Sequence, residues 1–150
     1  MTVPMRYSIV IHRPIEDVFN FVTDFRNDKA WWKLVSHTEM VTPGEFGVGS
    51  EFVQSARVLF ITIRGRLRVL EWDPPNWIRY RGESKQLSYN LLYTFEAVEG
   101  GTRFSQDAHL EIKGILRVFY PLTVWFINRA QHRYFPILKQ VLEQNAQPQP

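Results

Sequence analysis

The chain contains no cysteine. That excludes disulfides, thiolate nucleophiles and cysteine-based metal sites together, and it suits a reducing, cytoplasmic setting. A charge block is also missing. The 18 Lys and Arg are scattered among 15 Asp and Glu for a net charge of +3, so nucleic acid is not an expected partner. Long apolar runs are absent too. "MTVPMRYSIVIHRP" at the N-terminus has only a short apolar run before His12, too little for a signal peptide. The stretch from Ile115 to Ile127 falls short of the roughly 20 residues a membrane-spanning helix needs.

Catalytic and metal motifs are equally scarce. His12, His37, His109 and His132 form no HxH or HxxxH pair and have no acidic partner at ligand spacing, so neither a metal nor another cofactor is expected. No Gly-x-Ser-x-Gly elbow occurs. "GEFGVGS" (44–50) has the glycines of a phosphate loop, but no Lys-Ser/Thr follows and the next segment reads as strand, so it is a turn.

What the chain has is aromatic surface: 11 Phe, 6 Tyr and 5 Trp, or 15% of 150 residues. Such rings fill a core or line an apolar pocket. The length suits one domain, 1–150, with an ordered core of about 5–144 and a frayed "NAQPQP" tail.

Met5 to His12 is rich in β-branched residues and reads as a strand. Pro14 then opens a helix, with Glu16 and Asp17 at its positive end and Ile15, Val18, Phe19, Val22 and Phe25 on one apolar face. "RNDKAWW" reads as a second short helix with Asn27 as its cap. From there the period changes from helix to strand. In "FITIRGRLRVLEW", Ile61, Ile63, Leu67 and Val69 share one face, and Arg64, Arg66 and Arg68 share the solvated other. Turns at 73–76 and 99–101 separate further strands, until Gly114 ends the last and a helical segment runs to Gln144. About six consecutive strands with hairpin connections form an antiparallel sheet, and the C-terminal helix is the one element long enough to cover it. A twisted sheet cannot touch one helix along its whole length, which leaves room for an internal cavity.

Five segments in this order carry a resemblance: "RPIEDVFNFVTDFRNDKAWW" (13–32), "TPGEFGVGSEF" (42–52), "VLEWDPPNWIRYRGES" (69–84), "YTFEAVEGGTRFSQDAHLEIKG" (93–114) and "PILKQVLEQ" (136–144). The chain resembles the START-like helix-grip (SRPBCC) superfamily, in its polyketide cyclase/dehydrase and lipid-transport branch. The resemblance implies an α+β helix-grip fold: a curved antiparallel sheet of about seven strands gripping a long C-terminal helix, with two short helices after the first strand. It does not imply one function, because the superfamily includes carriers, receptors and enzymes and the matching segments are turn and packing signals.

Tyr89, Tyr93 and Phe95 alternate on one strand face, and Phe104, Gln106, Ala108 and Leu110 on the next. These are the expected inner faces, and Tyr80 joins them. Trp32 is expected to pack on the core, whereas Trp31 reads equally as a rim or an entrance residue. On the long helix, Leu116, Phe119, Thr123, Phe126, Ala130 and Tyr134 form the expected sheet-facing stripe, with Pro121 and Pro136 as breaks. Asn128 and His132, one turn apart, complete the candidate lining of Trp32, Tyr80, Tyr89, Tyr93, Phe95, Phe104, Gln106, Phe119, Thr123 and Phe126. Two functions fit: binding or transport of a small hydrophobic ligand (lipid, polyketide, isoprenoid or quinone-like), or a cyclase/dehydrase-type enzyme using the same cavity. A domain filled with apolar side chains that serves only to pair with a protein partner is a third reading. The apolar surplus over 115–127, on Val118, Leu122 and Trp125, leaves a cavity wall, a transient membrane contact and a homodimer interface open.

Overall fold

The structure, a computed structural model, describes residues 2–144. Met1 and residues 145–150, which include the tail expected to fray, lie outside the described residues. The elements are β1 (Thr2–Ile11), α1 (Ile15–Thr23), a 3-10 turn (Phe25–Asn27), α2 (Asp28–Trp31), β2 (Val35–Met40), β3 (Glu51–Val58), β4 (Ile61–Asp73), β5 (Trp77–Glu83), β6 (Leu87–Val98), β7 (Gly101–Ile112), α3 (Gly114–Val118) and α4 (Tyr120–Gln144). The strands make one antiparallel sheet in the order β1-β7-β6-β5-β4-β3-β2. Strands β2 to β7 follow one another by hairpins. The first strand joins the far edge beside the last, so α1 and α2 carry the chain across the end of the sheet from one edge to the other. This is the helix-grip architecture.

β1 begins three residues earlier than its alternation predicts and includes Pro4. An edge strand tolerates a proline because one row of its N–H groups has no partner. Asn27 does not cap α2; its side-chain amide donates instead to the Phe21 carbonyl at 3.0 Å.

The helical segment shows the largest departures. It is broken at Phe119, so that Pro121 sits in the first turn of α4, where its missing N–H leaves no helical bond unmade. Pro136 does not break α4 as expected. The helix continues through it because Phe135 and Leu138, on either side, are fully buried and held by packing while Pro136 faces solvent. The buried stripe is also rotated from the predicted one: after Thr123 it runs through Ile127, Ala130, Gln131, Phe135, Leu138 and Leu142. Phe126 and Tyr134 are half-buried, and Phe119 is exposed.

Gln131 explains the rotation. It is a polar side chain at a core position, 2% exposed, and it accepts from the Gln106 amide at 2.8 Å while donating to the Arg6 carbonyl at 3.1 Å. This pair ties the middle of α4 to β7 and β1. At its C-terminal end, Lys139 donates to the Val10 carbonyl and to Glu143, which accepts from the His12 N–H; Arg13 donates to the Leu142 carbonyl. Gln131→Leu is expected to destabilise the protein by about 1–3 kcal/mol, because it leaves the buried Gln106 amide without its acceptor. Replacing both glutamines by leucine should recover most of that loss, a non-additivity that urea unfolding of the two single variants and the double variant would measure.

Candidate functional site

A cavity of about 150 Å³ lies between the concave face of the sheet, α2 and the first half of α4. From α4 only Ile127 reaches it; the sheet supplies most of the wall, including Val58, Ile63, Leu67 and Leu91. Beneath the C-terminal half of the helix, rings pack closely. Phe95 stacks on Phe104 at 5.2 Å, Phe104 on Phe135 at 5.6 Å, and Phe19 meets Phe95 edge-on at 5.1 Å. Arg66 and Glu83, opposite each other on β4 and β5, and the nearby Ser84 also border the cavity.

Of the predicted lining, Trp32, Tyr80, Tyr89, Tyr93 and Gln106 do line this cavity. The others are elsewhere, for definable reasons. Phe95 and Phe104 belong to the ring stack that fills the core. Thr123, fully buried, donates from its hydroxyl to the Leu116 carbonyl at 2.9 Å and so joins α3 to α4. Phe126 is half-buried outside the cavity, and Phe119 packs edge-on against Phe60 on the surface. Asn128 and His132 are exposed, because the rotated phase of the helix turns Ile127 and Gln131 inward in their place. Of the two tryptophans, Trp31 differs from expectation: it is 2% exposed and packed against Phe135, while Trp32 is half-buried and packs on the core beside Tyr134.

Three tyrosines converge in the cavity. The Tyr80 hydroxyl donates to that of Tyr93 at 3.3 Å, and the Tyr80 ring meets the Tyr89 ring at 6.2 Å. Tyr89 lies across β5 only because Gly82 is its neighbour there; a Cβ on Gly82 would fall 2.3 Å from the Tyr89 ring. Burial pushes all three hydroxyls to higher pKa than usual, so they remain neutral donors at physiological pH.

The sequence reading missed Asp28. It opens α2, is buried, and accepts from the Gln54 amide at 2.8 Å; that amide also donates to the Thr38 hydroxyl at 3.0 Å. Desolvation raises its carboxyl to about 8, with the Gln54 hydrogen bond opposing the shift and the charge on Asp24 adding to it. Beside it, the Trp31 indole N–H is the one buried side-chain polar atom among the described residues without a hydrogen-bond partner, and Trp31 also lines the cavity. One signal was available for this cluster: Gln54 alternates with Phe52, Ala56 and Val58 on one strand face, a polar residue in an otherwise apolar row.

The polar groups at neutral pH are thus mostly uncharged: three phenols, of which Tyr80 already donates to Tyr93, a largely protonated carboxyl and an unpaired indole N–H. Among the described residues, no group of three or more metal-ligating side chains comes together.

A profile of the family described as "Polyketide cyclase / dehydrase and lipid transport" matches residues 2–143. The chain belongs to that family. No curated protein sequence matches it. Among solved structures, this family member is similar to the protein TTHA0849 from Thermus thermophilus, with 19% identity, 97% of this chain and 100% of that one covered, and a TM-score of 0.81. It is also similar to the Zhui aromatase/cyclase from Streptomyces sp. R1128, with 10% identity, coverage of 98% and 97%, and a TM-score of 0.82. A third similarity is to the di-domain ARO/CYC BexL from the BE-7585A biosynthetic pathway, with 16% identity and a TM-score of 0.71; there 99% of this chain spans 51% of that one. At these identities the structures establish a shared fold. Membership in the family supports a ligand-binding or cyclase role in general.

Because Asp28 holds its proton more tightly folded than unfolded, its contribution favours the folded state at low pH. That contribution is lost as pH rises from about 4 towards 8, at up to about 1.4 kcal/mol per pH unit. Asp28→Asn keeps an acceptor for Gln54 and removes the titration. The variant should therefore match the wild type near pH 4 and become the more stable of the two by pH 9, as thermal unfolding across that range would show.

Proposed function

We propose that the protein binds and carries a small hydrophobic ligand in this cavity, of lipid, polyketide, isoprenoid or quinone-like chemistry. The observation that carries this reading is the cavity itself: aliphatic and aromatic walls with a few inward polar groups, the composition of a site that takes an apolar molecule and orients it. Removing apolar surface from water supplies about 25 cal/mol per Å². At about 150 Å³ the space admits one benzene-sized ring, less than the roughly 300–1,000 Å³ of drug-sized sites. A ring-bearing end of the ligand therefore enters. The Tyr89 and Tyr93 hydroxyls suit a ligand whose polar atom is an acceptor such as a carbonyl. The absence of cysteine is consistent with a carrier working in the cytoplasm.

One observation favours the enzymatic alternative, a cyclase/dehydrase-type reaction. A buried carboxyl with a pKa of about 8 facing a cavity of tyrosines is a suitable general acid or base. In that case Asp28 would move a proton while the tyrosine hydroxyls polarise the carbonyl.

Native mass spectrometry of the purified protein, followed by extraction, is expected to show a bound hydrophobic compound. Ala56→Leu, which adds side-chain volume at the cavity wall, should abolish its retention without unfolding the protein. An empty protein that also fails to bind a panel of lipids and aromatic carbonyl compounds would rule out the carrier. Conversion of an added β-hydroxy carbonyl compound with loss of water, abolished in Asp28→Asn, would select the enzyme.

A further inference from the structure

The outside of the same end of the molecule carries a second feature. Phe60 (56% exposed), Val118 (74%), Leu122 (46%) and Trp125 (54%) stand out from the surface, with Ile115 and Phe119 beside them. Phe60 and Phe119 meet edge-on at 5.5 Å, so the β3–β4 turn and the start of the helical segment form one patch. That turn is built against its usual chemistry. Two-residue hairpin turns favour Asn, Asp or Gly, yet here Leu59 takes the left-handed conformation (φ 54°) and Phe60 occupies the exposed tip. Leu59 packs against the core, whereas the exposed Phe60 serves neither the turn nor the core.

The two segments that carry the patch hold cations and no acid, although Arg66 pairs with Glu51 at 3.4 Å and lies opposite Glu83 on β5. Between Glu51 and Glu71, the segment that forms the hairpin contains Arg57, Arg64, Arg66 and Arg68 and no acid. Between Glu111 and Glu143, the helical segment contains Lys113, Arg117, Arg129 and Arg133 and again no acid; its remaining cation, Lys139, is held by Val10 and Glu143. Arg129 lies over the Trp125 ring at 5.6 Å, and none of the ion pairs among the described residues involves Arg117, Arg129 or Arg133. Along the outer face of α4, apolar Leu122 and Trp125 give way to Arg129 and Arg133 one turn further on.

We infer that this patch docks the protein on an anionic lipid bilayer, with Phe60, Val118, Leu122 and Trp125 entering the interface and the flanking cations at headgroup level. An apolar face with a basic surround is the arrangement of interfacial membrane binders. A second copy of the chain is a poorer occupant, because a two-fold contact would set these cations against each other. Among the described residues no helix is long and apolar enough to cross a membrane; the inferred contact is an interfacial one. Docking would place the seam between the hairpin and α4 against the lipid, with the cavity residues Val58, Ile63 and Ile127 behind it. The docking surface stands independently of what the cavity holds.

The test is co-sedimentation with phosphatidylcholine vesicles, with and without phosphatidylglycerol, at low and high salt. The wild type should bind the phosphatidylglycerol vesicles and release them as salt rises. Val118→Ser/Leu122→Ser/Trp125→Ser should weaken binding by about tenfold or more, and Arg117→Gln/Arg129→Gln by about fivefold for each cation removed. Phe60→Ser, on a separate element, serves if the triple variant fails to fold by circular dichroism. No binding to anionic vesicles at low salt, or binding unchanged in the apolar variants, would overturn the inference. So would a dimer in sedimentation that the apolar variants dissociate while vesicles go unbound; that result would give the patch to a second copy.

Discussion

A straight helix can follow a twisted, curved sheet for only part of its length. In this molecule the C-terminal half of α4 makes the close contact, with Phe135, Leu138 and Leu142 sunk into the sheet. Its position is set by hydrogen bonds as well as packing: the Gln106–Gln131 pair at mid-helix, and the Lys139, Glu143 and Arg13 contacts at the end. The N-terminal half then spans the gap that the curvature leaves, and Ile127 alone reaches into it. Cavity and exposed patch both lie at that half.

The interior of the gap has a definite chemical character. Burial holds the phenols of Tyr80, Tyr89 and Tyr93 neutral and raises Asp28 to about 8, so near neutral pH the polar groups there are mostly uncharged. Charged groups in such a place would be costly without partners.

Most of the sheet was legible in the sequence, because period-2 alternation assigns faces without knowledge of the partner strand. The rows Ile63, Leu67, Val69 and Phe104, Gln106, Ala108, Leu110 face inward as their spacing indicates. The helix was less legible. Phe126 and Tyr134 attract attention as core residues, whereas the true phase passes through Gln131, whose burial depends on Gln106 on another element. Asp28 was hidden for a similar reason. In sequence it is an ordinary acid at the start of a short helix, and its environment is made by Gln54 and by tyrosines far along the chain. Local pattern reveals faces; contacts between distant elements decide which polar residues are buried.

The exposed apolar residues at the hairpin tip and on α3–α4 have the same origin as the cavity. Only one face of the helix start, at Leu116 and Thr123, is buried, so Val118, Leu122 and Trp125 remain outside, and the segments that carry them contain cations without acids. The measurement closest to the core of this picture is methyl NMR on protein labelled at isoleucine and valine, titrated with p-cresol as a single ring carrying one hydroxyl. Occupation of the cavity should shift Ile127, Ile63 and Val58 together and leave Val118 unmoved. Shifts confined to Val118, or no shift at saturating probe, would show that the space beneath α4 does not receive a ligand.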